Sequence, residues 1–277
     1  MPYVSRKPTP TDIEWIINLF RQLHPSGVHM GCSRKDLASS ISWFVTTDLG
    51  RTVGHIRQVH KPSRQAVELS LLLVDPEYQH FYIGRQLVHY ATLGHPEGTF
   101  VVSDSVTHLP YSQKIFYRER FFPTYVTLAD EPDIGAGQRE TTIHVAKLIS
   151  SRTETVSLYL PQEYRNLAQR VLSPFCKLKF QEHSPYSEHQ FSHARITDSE
   201  RRIIPLNYDS APAEILLMRS CGYYLAGFTV YKRDKKIFVG AVMNPLPKER
   251  LQREYIQVLP FAQELFDFVW QQYEARK

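Results

Sequence analysis

Glu68 is the one charged residue in a strand-like apolar run, Ala66 to Val74 (AVELSLLLV). Alternation along a strand would place Glu68, Ser70, Leu72 and Val74 on one side and Leu69, Leu71 and Leu73 on the other. A carboxylate on a partly buried strand can have its pKa raised towards neutrality and take a proton from an ammonium group. Beyond Asp75-Pro76, the run Gln79-His80-Phe81-Tyr82-Ile83-Gly84 leads into Arg85, Gln86, Leu87, Tyr90 and Ala91, whose apolar members recur at helical spacing. The first amides of a helix lack acceptors of their own and can bind a pyrophosphate. The order of strand, carboxylate, turn and helix start suits a site for a phosphorylated acyl carrier, with His80 and Arg85 as candidate cationic contacts to phosphate.

The elements that must position these residues can be read from periodicity. A short strand at Tyr3 to Arg6 precedes a helix from Thr11 to Leu23, capped by Thr11 or Asp12, with Ile13, Ile16, Ile17, Phe20 and Leu23 on one face. A second helix is expected from Ser33 to Phe44. Strands follow at Thr52 to His60 and Ala66 to Val74, joined by a turn at Lys61 to Arg64, and then a helix at Ile83 to Gly94. FVVSDSV (Phe100 to Val106) reads as a strand, Tyr111 to Arg120 as a helix, and Thr124 to Ala129 and Thr141 to Leu148 as two more strands.

The segment around Glu68 resembles motif A of the GNAT N-acetyltransferases, whose acetyl-CoA loop reads Arg or Gln, two residues, Gly, one residue, Gly or Ala. Gln79 and Gly84 fit that pattern and Ile83 fills its apolar slot, but Tyr82 stands where the first glycine belongs. Glu68 lies eleven positions before Gln79, as does the general-base glutamate of the histone-modifying members. The resemblance implies that Leu72, Leu73, Val74, Gln79, His80, Phe81, Tyr82, Ile83, Gly84 and Arg85 bind acetyl-CoA as cosubstrate. It also implies oxyanion stabilisation by a backbone amide of the strand at Leu72 to Val74. The family protonates the departing thiolate with a helical tyrosine, in the pattern Asn, two residues, Ala, three residues, Tyr, three residues, Gly, Phe. Tyr117 and Phe122 match it, with Pro110, Gln113 and Phe121 at the asparagine, alanine and glycine slots, so Tyr117 is the candidate acid.

The fold implied is α/β (α+β), a mixed central sheet flanked by helices over residues 1–150, followed by a second, smaller GNAT-like α+β domain over 151–277. In that second half, Val156 to Leu160 and the helix Glu163 to Leu172 repeat the opening strand and helix. The strand at Ile203, the helix Ala213 to Ser220 and the strands YYLAGFTVY and IFVGAVM repeat Phe100 to Leu148. Met218 replaces the tyrosine, Gly222-Tyr223 restores the glycine-aromatic pair, and no equivalent of the CoA loop occurs. A final amphipathic helix is expected from Leu259 to Tyr273. The function implied is transfer of acetyl from acetyl-CoA to a primary amine, on a small molecule or a protein lysine, with a homodimer left open. The alternative is a catalytically silent GNAT-like module for acyl-CoA sensing or protein interaction, depending on whether the Tyr82 ring clears the pyrophosphate path.

Bulk properties set the bounds. A chain of 277 residues with 42% hydrophobic residues can bury a sizeable core. No run of about eighteen apolar residues or leader pattern occurs, which argues for a soluble, cytoplasmic protein without a membrane partner. The charge of +5 and pI near 9.0 permit a polyanionic partner, but no clustered basic stripe argues for nucleic acid. Cys32, Cys176 and Cys221 are widely spaced and expected to be reduced. His183, His189 and His193 have no cysteine or carboxylate at zinc spacing, so no metal is expected. His108, just after FVVSDSV, is a candidate contact to acceptor or carrier.

Overall fold

The computed structural model describes residues 2–24, 32–47, 49–107, 110–131, 139–149, 154–182, 201–233, 236–247 and 250–276. The polar loop holding His183, His189 and His193, and His108, lie outside these residues. The first half runs β1 (Tyr3–Arg6), α1 (Pro10–Leu23), α2 (Arg34–Ser39), β2 (Ile41–Thr46), β3 (Thr52–Lys61), β4 (Ala66–Val74), α3 (Ile83–Thr92), β5 (Phe100–Val106), α4 (Tyr111–Arg118), β6 (Phe122–Glu131) and β7 (Glu140–Leu148). The second half adds β8 (Thr155–Leu158), α5 (Gln162–Leu172), β9 (Lys177–Phe180), β10 (Arg202–Pro205), α6 (Ala211–Ser220), β11 (Tyr223–Arg233), β12 (Lys236–Pro245) and α7 (Pro260–Glu274).

One mixed sheet carries both halves, in the order β1-β2-β3-β4-β5-β7-β6-β11-β12-β10. Its pairs are antiparallel except β4 with β5, which is parallel. Read outward from the β6–β11 contact, the order β6-β7-β5 on one side is matched by β11-β12-β10 on the other. Helix α6 follows β10 as α4 follows β5. The opening of the second half differs: β8 pairs in parallel with β9 in a separate small sheet, whereas β1 pairs antiparallel with β2.

Local chemistry explains most element boundaries. Helix α1 starts one residue earlier than expected, because Thr9 caps it: the Thr9 side chain accepts from the Asp12 amide and the Asp12 carboxylate accepts from the Thr9 amide, with Pro10 at the first helical position. Its Ile13, Ile16 and Ile17 pack with Leu37, Phe44 and Leu73. The second helix is much shorter than expected. A Ser33–Asp36 capping box opens α2, but it ends at Ser39, and Ile41-Ser-Trp-Phe-Val-Thr forms β2 instead. Its β-branched and aromatic residues favour the pleated surface between β1 and β3.

Strand β4 departs from simple alternation at Leu71, which has φ +50°. The β3 register slips opposite it, with His55 facing Leu73 and Arg57 facing Ser70. This bulge resets the faces. Leu69 therefore shares a core with Leu72 and Val74 beneath α3, while Leu71 and Leu73 pack with α1. The expected grouping of Leu69 with Leu71 and Leu73 is thus broken by one left-handed residue. Fully buried His55 holds the bulge: its Nδ1 donates to the Leu71 carbonyl at 3.0 Å, so Nε2 accepts from the Ser42 hydroxyl at 3.0 Å. Burial pushes the His55 imidazole down to about 4, which keeps it neutral in this role.

Helix α3 is seated on the sheet through Gly54 of β3. A Cβ there would come within 2.5 Å of Val45 Cγ1 and 2.7 Å of Ile83 Cγ2. The absent side chain lets the first turn of α3 lie directly on β3, which fixes the height of the loop before it.

Candidate active site

Strands β4 and β5 pair only from Ala66–Phe100 to Leu69–Ser103. Past that point they part, and the β5-facing backbone groups of Ser70 to Val74 have no strand partner. Ser103 closes the apex, its hydroxyl donating to the Leu69 carbonyl at 2.8 Å. The opening widens into a cleft of about 530 Å³ between the α3 start and α4. It is lined by Leu72, Leu73, Val74, Gln79, His80, Tyr82, Gly84 and Arg85, together with Leu23, His24, Val106, Tyr111, Ser112, Lys114, Ile115 and Arg118.

Most of the carrier-binding residues expected from sequence therefore meet in one place. Two do not line the cleft. Ile83 is buried in the core, and Phe81 is mostly exposed beside Tyr78. Gly84 lies at the cleft floor, where a Cβ would approach Ile115 Cδ1 at 3.0 Å, so its lack of a side chain lets α4 come close to α3. The first α3 hydrogen bond runs from the Gln86 amide to the Tyr82 carbonyl at 3.0 Å, which leaves the amides of Ile83, Gly84 and Arg85 without a helical acceptor.

Tyr82 occupies the first-glycine slot in a left-handed conformation, φ +58° and ψ 15°. Such a conformation costs a residue with a β-carbon about 1–2 kcal/mol, so the loop geometry is kept even though the glycine is not. Its ring is 65% exposed at the cleft rim. It also borders an adjoining pocket formed with Arg85, Gln86, His89, Arg118 and Glu119. There the buried Glu119 carboxylate accepts from Arg85 Nε at 2.6 Å, so the Arg85 charge is partly spent on an internal partner. Lys114 and Arg118, which the sequence reading missed, add cationic character from α4. Their spacing of four residues on one short helix was the available signal.

Tyr117 is not among the cleft-lining residues. Its ring packs against Phe261 of α7, with centroids 5.2 Å apart. The reason is a one-residue shift in the motif. The left-handed residue closing α4 is Arg120 (φ +61°), and the buried aromatic after it is Phe121, whose amide bonds the Phe116 carbonyl at 3.0 Å. In the second half Gly222 (φ +87°) and buried Tyr223 hold the same two places. Counting back four residues from the left-handed position gives Phe116 and Met218, both buried and neither able to donate a proton. A glycine slot filled by arginine hid this register.

Glu68 lies on the paired side of the apex, opposite Val59 on β3 and Val102 on β5. Its carboxylate meets Lys61 Nζ at 3.2 Å, is 38% exposed and is not in the cleft lining. The second half reaches the cleft through α4. Buried Gln113 donates to the Gln257 carbonyl at 2.8 Å and accepts from the Leu259 amide at 3.0 Å, tying α4 to the segment that leads into α7. Among the described residues, no group of His, Cys, Asp and Glu side chains could hold a metal ion, and no helix is long and apolar enough to cross a membrane.

The sheet order β1-β2-β3-β4-β5-β7-β6, the parallel pair that splays and the helix start beside it give the mixed sheet flanked by helices that the sequence resemblance implies. Solved structures similar to the chain include N-acetyltransferases, some of them described as GNAT proteins. It is similar to the ribosomal-protein-S18-alanine N-acetyltransferase from Escherichia coli at 17% identity and a TM-score of 0.43, over 55% of this chain and 97% of that one. A phosphinothricin acetyltransferase from Sinorhizobium meliloti, solved in complex with AcCoA, is similar at 16% identity and a TM-score of 0.43, over 54% of this chain and 90% of that one. An aminoglycoside 6'-N-acetyltransferase complexed with coenzyme A is similar at 17% identity and a TM-score of 0.42, over 56% and 100%. No family model matches the chain, and no curated protein matches it.

Proposed function

We propose that the protein transfers acetyl from acetyl-CoA to a primary amine by direct attack. The observation that carries this reading is the splay of β4 from β5 into a cleft bounded by a glutamine-led helix start and by His80, Lys114 and Arg118. Backbone amides at Ile83 to Arg85 and the Lys114 and Arg118 cations suit a pyrophosphate, and the unpaired edge of Leu72 to Val74 suits a thioester carbonyl. The amine nitrogen attacks the carbonyl carbon, the carbon–sulfur bond breaks, and the thiolate takes a proton from water, since Tyr117 is turned away. Glu68 is the proposed base for the amine, acting through water from the opposite side of the apex.

Residues 1–150 would form the acyl-CoA unit. Residues 151–277 would be a degenerate GNAT-like unit without a carrier loop, in keeping with the mirrored order of β11, β12 and β10. Phe116 and the position of Tyr117 favour a second reading, a module that binds acyl-CoA without turnover. Thermal denaturation with acetyl-CoA tests both. Ligand at about a hundredfold its Kd should add about 2.7 kcal/mol of stability, and no shift with any acyl-CoA rejects both readings. A shift without thiol release across a broad amine panel leaves the silent module.

A further inference from the structure

A single row of polar side chains crosses the sheet face opposite α3 and α4. Arg57 of β3 faces Ser70 of β4 in register. Ser70 and Asp104 are the first residues beyond the last β4–β5 pair, Leu69–Ser103, so Asp104 continues the row on β5. Asp104 faces His144 of β7, and His144 faces Tyr125 of β6. Directly opposite residues share a face, and His55, two residues before Arg57, places this one on the side of α1 and α2 through its contacts with Ser42 and Phe44.

One end of the row is tightly built. His144 Nδ1 meets Asp104 Oδ1 at 2.5 Å, and its Nε2 meets the Thr127 hydroxyl at 3.0 Å. Its ring stacks on Tyr125 at 3.8 Å, and Arg201 from the second half donates to the Tyr125 hydroxyl at 3.2 Å. Asn244 of β12 donates to Thr127 at 3.2 Å. The Asp104 side chain nonetheless stays 67% exposed, one residue past the last β4–β5 pair and outside the cleft lining. Partial desolvation by the groups packed around it works against its charge, but His144 and Arg201 hold its carboxyl below the usual range.

The other end is unsatisfied. Arg57 Nε and Ser70 Oγ are buried without a hydrogen-bond partner, and among the described residues Arg57 has no ion pair. Asp36 senses the Arg57 charge, but its carboxylate is engaged by the Ser33 amide and hydroxyl at 2.8 and 2.7 Å. An orphaned guanidinium N–H calls for an anionic acceptor.

We propose that the acceptor is a compact zwitterion, a primary amine bearing its own carboxylate. Asp104, fixed by His144, receives the ammonium beside the cleft apex, and Arg57 with Ser70 receives the carboxylate. Two strand spacings separate Asp104 from Arg57, on the order of 10 Å between backbones, and the inward reach of both side chains fits this to an amino acid. The inference rests on the acyl-transfer reading and names its substrate class.

The test compares amino acids with their decarboxylated counterparts, ornithine with putrescine, tyrosine with tyramine and histidine with histamine, by thiol release at saturating acetyl-CoA. At least one amino acid should exceed its amine by about tenfold in kcat/KM, in line with a charge-assisted contact. Arg57→Met should erase that ratio by raising KM for the amino acid alone, and Asp104→Asn should weaken both members of the pair. If none turns over, calorimetric titration of the CoA-saturated protein reads the same ratios. Equal or better binding of every amine, an unchanged ratio in Arg57→Met, or no binding of any of the six overturns the proposal. The acetyl-CoA thermal shift of both variants should match the parent protein. Absence of that shift in the parent defeats the acyl-CoA reading itself, whereas a shift without amino-acid preference defeats only the zwitterion.

Discussion

The segments β5-α4-β6-β7 and β10-α6-β11-β12 are built alike but differ where chemistry would occur. Each has a strand, a short helix closed by a left-handed residue, a buried aromatic and a hairpin. Only the first is preceded by β4 and α3, with the splay and helix start that make a cleft. The second instead meets the first across Gly227–Tyr125, sends Gln257 and Leu259 to α4 and brings Arg201 beside Tyr125. A shared scaffold can thus border a cleft in one place and serve as a brace in another. What separates the two is a loop and a splay, with the helix and hairpin in common.

The largest expected break in this comparison lies at Gly227. Its φ is +134°, and a Cβ would stand 2.5 Å from the Thr124 carbonyl oxygen and 2.7 Å from Tyr125 Cα. Gly227→Val should cost about 4 kcal/mol from strain and overpacking together, read as a lowered denaturation midpoint in urea. A neutral result would mean that the two halves do not need their close contact.

Acid should act on the first half before the second. The folded pKa of His55 lies below its ordinary value, so the unfolded chain takes up the proton first as pH falls. His55 contributes no penalty above about pH 6.5, and stability should decline by about 3 kcal/mol from there down to about pH 4. Urea midpoints across that window should flatten in His55→Gln, and an unchanged slope would remove His55 as the cause.

Gly54→Ala tests the seat of α3. Displacement of Val45 and Ile83 should cost about 2 kcal/mol and weaken acetyl-CoA binding by calorimetry, while the matching contact between α6 and its sheet is untouched. The smallest effect compares the two helix caps. Arg120→Gly should stabilise by about 1 kcal/mol, and Gly222→Arg should destabilise by a similar amount, because the glycine site is spatially open and only its backbone angle is at stake. Equal responses of the same sign would show that the two caps are not counterparts.

The sequence revealed the fold where local signals and packing agree. Helix α1, the apolar run of β4, and FVVSDSV at β5 all appear close to their expected bounds, although Thr9 rather than Thr11 or Asp12 caps α1. It failed where a residue takes a conformation foreign to its type. Leu71 at φ +50° reversed the faces of β4, and Arg120 at φ +61° moved the α4 motif by one position. It also failed at Ile41 to Thr46, where sheet neighbours overrode helical spacing, and at the short strand β9, which among the described residues pairs with β8 alone. The β4–α3 side of the proposed carrier cleft was legible because Leu72 to Arg85 lie in one stretch of sequence. The row from Arg57 to Tyr125 was not, because five strands must align before its members meet.

The Gly227–Tyr125 contact also bears on solubility. Strand β6 is bonded to β7 on one side and β11 to β12 on the other, so each half would end in a long, largely apolar edge if it stood alone. Such an edge recruits further strands and leads to aggregation. In the intact chain the two edges meet at the Gly227–Tyr125 pair, so separating the halves would expose both there, and their physical linkage works against self-association.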